Sequence, residues 1–102
     1  MISRMAEGVG KFRDIGQRLV KLREALGLPT DAALAKRLDV SPQKLSNYMR
    51  GRARPDLSTG LTIATRTGVT LDWIYRGDIA GLSVQMAQKL DEVAPPPARA
   101  KR

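Results

Sequence analysis

The sequence predicts a small all-α domain, and three observations support this. Apolar residues recur at spacings of three and four over most of the chain, whereas no stretch alternates apolar and polar residues for long enough to need a strand. Aromatic residues make up only 4% of the 102 residues, and strands favour aromatic and β-branched side chains. Residues typical of helix ends also flank the periodic segments. We therefore expect a compact five-helix domain followed by a short C-terminal helical extension.

The first two predicted helices are separated by a Gly and a Pro. The apolar stripe of the first helix comprises Phe12, Ile15, Leu19, Leu22 and Leu26. Gly27 can end that helix in the left-handed conformation, and Pro29 follows the stop. Thr30 offers a side-chain oxygen to cap the second helix, whose inward residues are Leu34, Ala35 and Leu38.

The third predicted helix begins after a very short break. Ser41 and Pro42 are typical of an N-cap and a first helical residue, so only Asp39 and Val40 separate the second helix from the third. Leu45, Tyr48 and Met49 form its packing side, and Gly51 can end it. Two short helices therefore meet at a tight turn.

The later helices are predicted in the same way. The fourth runs from about Asp56 to Gly68, with Leu57, Leu61 and Ala64 on its packing face, and Thr70 caps the fifth, Leu71 to Arg76. Beyond Gly81 another helical stripe comprises Leu82, Met86, Leu90 and Val93. We expect a flexible N-terminus over 1–11, a domain over 12–78, a helical extension over 79–94 and a disordered, Pro-rich basic tail over 95–102.

Composition limits the chemistry available. The chain has neither His nor Cys, which excludes Ser-His-Asp triads, Cys-His nucleophile pairs and ordinary zinc sites. We expect no enzyme activity, no cofactor and no metal. The longest apolar run, 32–35, is far too short to span a bilayer, and no secretory signal is recognisable. We therefore expect a cytoplasmic protein with no membrane partner.

Positive charge is concentrated in one segment. The chain carries a net charge of +8, of which +5 lies within residues 36–54. The cations there are Lys36, Arg37, Lys44, Arg50, Arg52 and Arg54, and Asp39 is the one acid. A solvated face usually mixes both signs, so this segment is predicted to contact a polyanion.

Residues 31–50 have the pattern of a helix-turn-helix. Ala35 is small where the two helices cross, residue 39 turns the chain, and Val40 and Leu45 fill the angle between the helices. From this motif, from the flanking residues 51–55 and from the closing 71–78, the chain resembles the phage repressor and Cro family of helix-turn-helix domains over about 14–78. Asp39 stands where the family usually has Gly, and a short polar side chain tolerates the left-handed region. Asp31 stands where the family often has Gln.

The resemblance implies a DNA site on the second helix of the motif, which enters the major groove in that family. The positions that would meet base edges are Pro42, Gln43, Lys44 and Asn47. Gln and Asn can pair with adenine, Lys can donate to guanine, and Pro offers apolar contact. The expected phosphate contacts are Lys36, Arg37, Ser46, Arg50, Arg52 and Arg54. For Tyr48 a packing ring is favoured over a phosphate contact.

The same resemblance implies a sequence-specific transcriptional regulator of double-stranded DNA, a repressor of the phage or prophage type. We expect a homodimer on a pseudo-palindromic operator, because one recognition helix reads few base pairs. Its predicted interface comprises Trp73, Ile74, Leu82, Met86 and Leu90, and the alternative for the stripe after Gly81 is packing on the same chain. Two alternatives remain open: an antitoxin that binds its own promoter and a toxin, or an RNA-binding or protein-interaction adaptor.

Overall fold

The computed structural model describes residues 11–93, which form six helices and no strand. The helices are α1 Arg13–Ala25, α2 Asp31–Leu38, α3 Pro42–Met49, α4 Leu57–Thr67, α5 Leu71–Arg76 and α6 Val84–Asp91. The predicted all-α fold with a C-terminal helix is confirmed. The predicted flexible N-terminus, apart from residue 11, and the Pro-rich basic tail lie outside the described residues. None of the six helices is long and apolar enough to cross a membrane.

Local hydrogen bonds explain where these helices begin. At five helix starts a side-chain oxygen accepts a hydrogen bond from the backbone N–H three residues later, at 2.9–3.1 Å. These bonds satisfy N–H groups that have no partner within the helix. The five capping residues are Thr30, Ser41, Asp56, Thr70 and Ser83. The predicted caps at Thr30, Ser41 and Thr70 are thereby confirmed.

The core is organised around α1, which contacts α3, α5 and α6. Its buried side chains are those of Ile15, Leu19 and Leu22, as its apolar stripe predicts. The other helices contribute Leu34, Leu38, Leu45, Ile63, Ile74 and Leu90 to the same core. The α1 helix ends as predicted, with Gly27 at φ 72° and the Leu28 N–H donating to the Arg23 carbonyl at 3.0 Å.

The predicted packing face of α4 is wrong for Leu57 and Leu61, whereas Ala64 is partly buried against the core as predicted. Leu57 and Leu61 are 63% and 49% exposed, and the buried face carries Gly60, Ile63 and Thr67 instead. Burial of Thr67 costs little because its hydroxyl donates to the Ile63 carbonyl at 2.8 Å. The helix is thus turned so that its least bulky residue, Gly60, faces Leu71 and Tyr75 of α5.

The predicted two-fold interface also needs correction. Ile74 is fully buried and Trp73, Met86 and Leu90 are nearly so, all within the core of this one chain. The α6 stripe packs back on α1 rather than facing outwards. A second copy could reach these four side chains only by opening the core. Of the predicted interface residues, only Leu82 is partly exposed.

The turn between α2 and α3 contains a strained residue, which gives a stability prediction. Asp39 adopts φ 60° and ψ 45°, the only non-Gly residue of 11–93 with positive φ. Asp39→Gly should therefore stabilise the domain by about 0.5–1 kcal/mol, because removal of the Cβ relieves the clash. The greater conformational freedom of Gly in the unfolded chain offsets part of this gain. Urea unfolding measures the difference, with Asp39→Ala as the control that keeps the clash. A Gly variant no more stable than the Ala variant would contradict the prediction.

Candidate nucleic-acid interface

The orientation of α3 is fixed by tight packing on two sides. On one side Ala35 of α2 is buried, and the Val40 N–H donates to the Ala35 carbonyl at 3.0 Å across the turn. On the other side α1 approaches so closely that a Cβ on Gly16 would collide with backbone atoms of Tyr48 and Met49. With Leu45 buried between these neighbours, the first turn of α3 projects from the domain.

The outward face of α3 carries the side chains predicted to meet base edges. Pro42, Gln43 and Lys44 are exposed and Asn47 is half-buried. Ser41 caps the helix by accepting from the Lys44 N–H at 3.1 Å, which fixes the first turn. The structure therefore brings the four predicted base-reading residues together on one helix, and their roles remain predictions. Tyr48 is buried in the core, as the packing interpretation predicts.

Exposed cations lie on α2, on α3 and in the segment that follows α3. Within residues 11–93 none of the cations of the 36–54 segment takes part in a salt bridge; they are Lys36, Arg37, Lys44, Arg50, Arg52 and Arg54, and all are exposed. Ser46, the remaining predicted phosphate contact, is exposed too. The two salt bridges of the described chain both use Arg23, with Asp31 at 3.1 Å and Glu24 at 3.5 Å. Asp31 thus faces a cation of its own chain.

The arginine loop, residues 50–56, follows α3 and is held at both ends. At its start the Arg52 N–H donates to the Asn47 carbonyl at 2.9 Å, and the Gly51 carbonyl accepts from the Phe12 N–H at 3.0 Å. At its end the Tyr75 hydroxyl lies 2.6 Å from the Pro55 carbonyl oxygen, to which it donates. Burial raises the pKa of Tyr75, so this donor stays protonated at neutral pH.

Asp56 closes the arginine loop and starts α4. Its carboxylate accepts from the Thr59 N–H at 2.9 Å. This hydrogen bond lowers the pKa of Asp56, and the positive charge of Lys44 contributes to the same shift. The carboxylate is therefore ionised at neutral pH and keeps the helix cap in place directly behind the loop.

Several supporting residues were not predicted from the sequence. Phe12 was assigned only to the α1 stripe, yet the Arg54 guanidinium lies over its ring, 5.5 Å from the centroid. Gly60 leaves room for Tyr75, since a Cβ there would lie 2.5 Å from the hydroxyl oxygen. Only for Gly16 does the sequence contain a signal that could have identified a supporting residue. A Gly in a helix interior lowers stability, so a Gly beside an apolar stripe indicates that another element approaches the helix closely there.

Comparisons with known proteins agree with this geometry. A family model described as helix-turn-helix matches residues 19–74, more than half of the chain and all of α2 and α3. No curated protein and no solved structure gives a significant match. The chain belongs to the Cro/C1-type helix-turn-helix family of DNA-binding regulators.

Proposed function

We propose that the chain is a sequence-specific transcriptional repressor of the phage or prophage type, which reads the major groove of double-stranded DNA with α3 as a homodimer. The observation that carries the proposal is the first turn of α3, where Pro42, Gln43 and Lys44 are exposed, in a segment whose exposed cations form no salt bridge within residues 11–93. Such a surface combines base readout with attraction to phosphates.

Selection of bound duplexes from a random DNA pool tests the proposed function. We expect recovery of an inverted repeat, because each protomer would read one half-site. Competition with single-stranded RNA provides the control, since phosphate attraction alone does not distinguish nucleic acids. Failure to enrich any sequence, or stronger binding to the RNA, would favour the adaptor alternative.

The arginine loop is expected to contact phosphates rather than bases. Arg52→Ala and Arg54→Ala should each weaken binding on every sequence and lower the slope of log affinity against log salt by about one, because each removes one phosphate contact. Titrations of a labelled duplex at several salt concentrations measure this slope. Lys21→Ala, which removes an exposed cation from α1, is the matched control. Unchanged slopes in both loop variants would exclude this loop from the DNA surface.

The proposed homodimer needs a surface other than the buried stripe, and α4 offers one. Leu57 and Leu61 are exposed and one helical turn apart, immediately after the arginine loop. Residues 57–65 contain no charged side chain. A chain with a net charge of +8 repels its own copy, so an uncharged face suits self-association better than the rest of a basic surface.

Leu57→Ser combined with Leu61→Ser is therefore expected to produce a folded monomer. Both side chains are exposed, so their replacement should shift the free energy of unfolding by no more than about 0.5 kcal/mol per site. Sedimentation velocity would measure the association state, and binding to the inverted repeat should weaken more than binding to a half-site. Val84→Ser removes an apolar side chain of α6 that is 73% exposed and serves as the control. A double variant that remains dimeric places the interface elsewhere.

A further inference from the structure

Phe12 contacts the arginine loop in two ways. Its backbone N–H donates to the carbonyl of Gly51 at 3.0 Å, at the start of the loop. Its ring lies beneath the guanidinium of Arg54, with 5.5 Å from the guanidinium carbon to the ring centroid. The ring is half-buried against the core, so its own position is fixed by packing. One residue at the start of α1 thus supports the loop that follows α3.

We propose that Phe12 is a positioning residue that holds the Arg54 guanidinium ready for a DNA phosphate. A cation over an aromatic face is attracted by the negative charge of that face. The five N–H donors of a guanidinium point outwards in its own plane, so a single ring beneath it leaves donors available for a phosphate oxygen. The inference rests on the proposed DNA binding and adds a residue that touches no DNA itself.

The proposed gain in DNA affinity comes from the order that the Arg54 side chain already has before binding. A free arginine side chain has many rotamers and loses that freedom when it is fixed on a phosphate. The Phe12 ring restricts the Arg54 side chain in the free protein, whereas Arg52, which is also exposed, has no aromatic ring beneath it within residues 11–93. The two arginines of one loop therefore form an internal comparison.

A double-mutant cycle on a duplex of mixed sequence tests the proposal, because phosphate contacts need no particular operator. Phe12→Leu retains an apolar side chain and the backbone N–H, and should weaken binding about two- to five-fold. In the Arg54→Ala background the same change should have no further effect. In the Arg52→Ala background it should keep its full effect. Equal effects of Phe12→Leu in all three backgrounds would overturn the proposal.

Two further measurements separate positioning from a general loss of structure. Phe12→Trp retains an aromatic face and should bind DNA more tightly than Phe12→Leu, which a merely structural defect would not predict. In the free protein, ring-current shifts of the Arg54 side-chain protons in NMR spectra should be present in the wild type, lost in Phe12→Leu and regained in Phe12→Trp. Absence of those shifts in the wild type overturns the proposal without any DNA. If Arg54→Ala leaves both affinity and salt slope unchanged, the phosphate contact of the proposed function fails as well.

Discussion

Gly16→Ala is expected to destabilise the domain by about 2–3 kcal/mol, the upper part of the range for overpacked sites. In an ordinary helix interior the same change stabilises by about 0.5–1 kcal/mol, because Ala restricts the unfolded chain. Here the added methyl group would overlap the carbonyl of Met49 and the carbonyl oxygen of Tyr48. Backbone atoms cannot move aside as a flexible side chain can, so α1 and α3 would have to separate. The sign of the effect is therefore opposite to the usual one.

Urea unfolding followed by circular dichroism measures this effect. Gln17→Ala changes the next residue of α1, which is exposed, and should alter stability by less than about 0.5 kcal/mol. DNA binding should also weaken in Gly16→Ala, because the C-terminal end of α3 is the part displaced. A Gly16→Ala protein as stable as the wild type would show that α1 does not approach α3 this closely.

The features that the sequence predicted best are those that depend on residues close together in the chain. The caps at Thr30, Ser41 and Thr70 each join a side chain to an N–H three residues away. Such bonds form whenever the local chain is helical, whatever packs against it. The left-handed conformation of Asp39 was implied by the resemblance, because the family usually has Gly at this turn and a short polar side chain tolerates that conformation.

Which face of a helix is buried depends on distant partners, and there the sequence was less informative. On α4 the apolar spacing of Leu57 and Leu61 predicts a buried face, but Tyr75 packs at Gly60 and turns that face to solvent. The α6 stripe was assigned to a second copy because the other helices already supply a core and a dimer that reads an operator needs an interface. Periodicity identifies a stripe without identifying its partner.

The same distinction between nearby and distant residues applies to the candidate site. The resemblance implies that Pro42, Gln43 and Lys44 are exposed towards DNA, and all three are exposed in the first turn of α3. The support of the arginine loop joins Phe12 to Arg54 and Tyr75 to Pro55, pairs separated by 42 and 20 residues. A single sequence contains no signal for such pairs.

The largest effects on specificity are expected on α3. Gln43→Ala, Lys44→Ala and Asn47→Ala should each reduce discrimination at a particular operator position by about 1–3 kcal/mol, the usual loss for a side chain that pairs with a base edge. Gln43 and Lys44 are exposed in the first turn, next to the Ser41 cap that fixes their backbone. Asn47 is half-buried one turn later, so its reach is shorter and its discrimination should lie at the lower end of the range.

Affinities for a complete set of single-base variants of the selected operator distinguish base readout from other roles. A base-reading variant loses preference at one position and keeps it at the others, because each side chain meets one or two base pairs. Ser46→Ala is the matched control: Ser46 is exposed on the same helix but is predicted to contact phosphate, so its removal should weaken all operators equally. If Gln43→Ala and Lys44→Ala also weaken every operator equally, α3 binds the backbone only, and the specificity must come from the shape of the DNA.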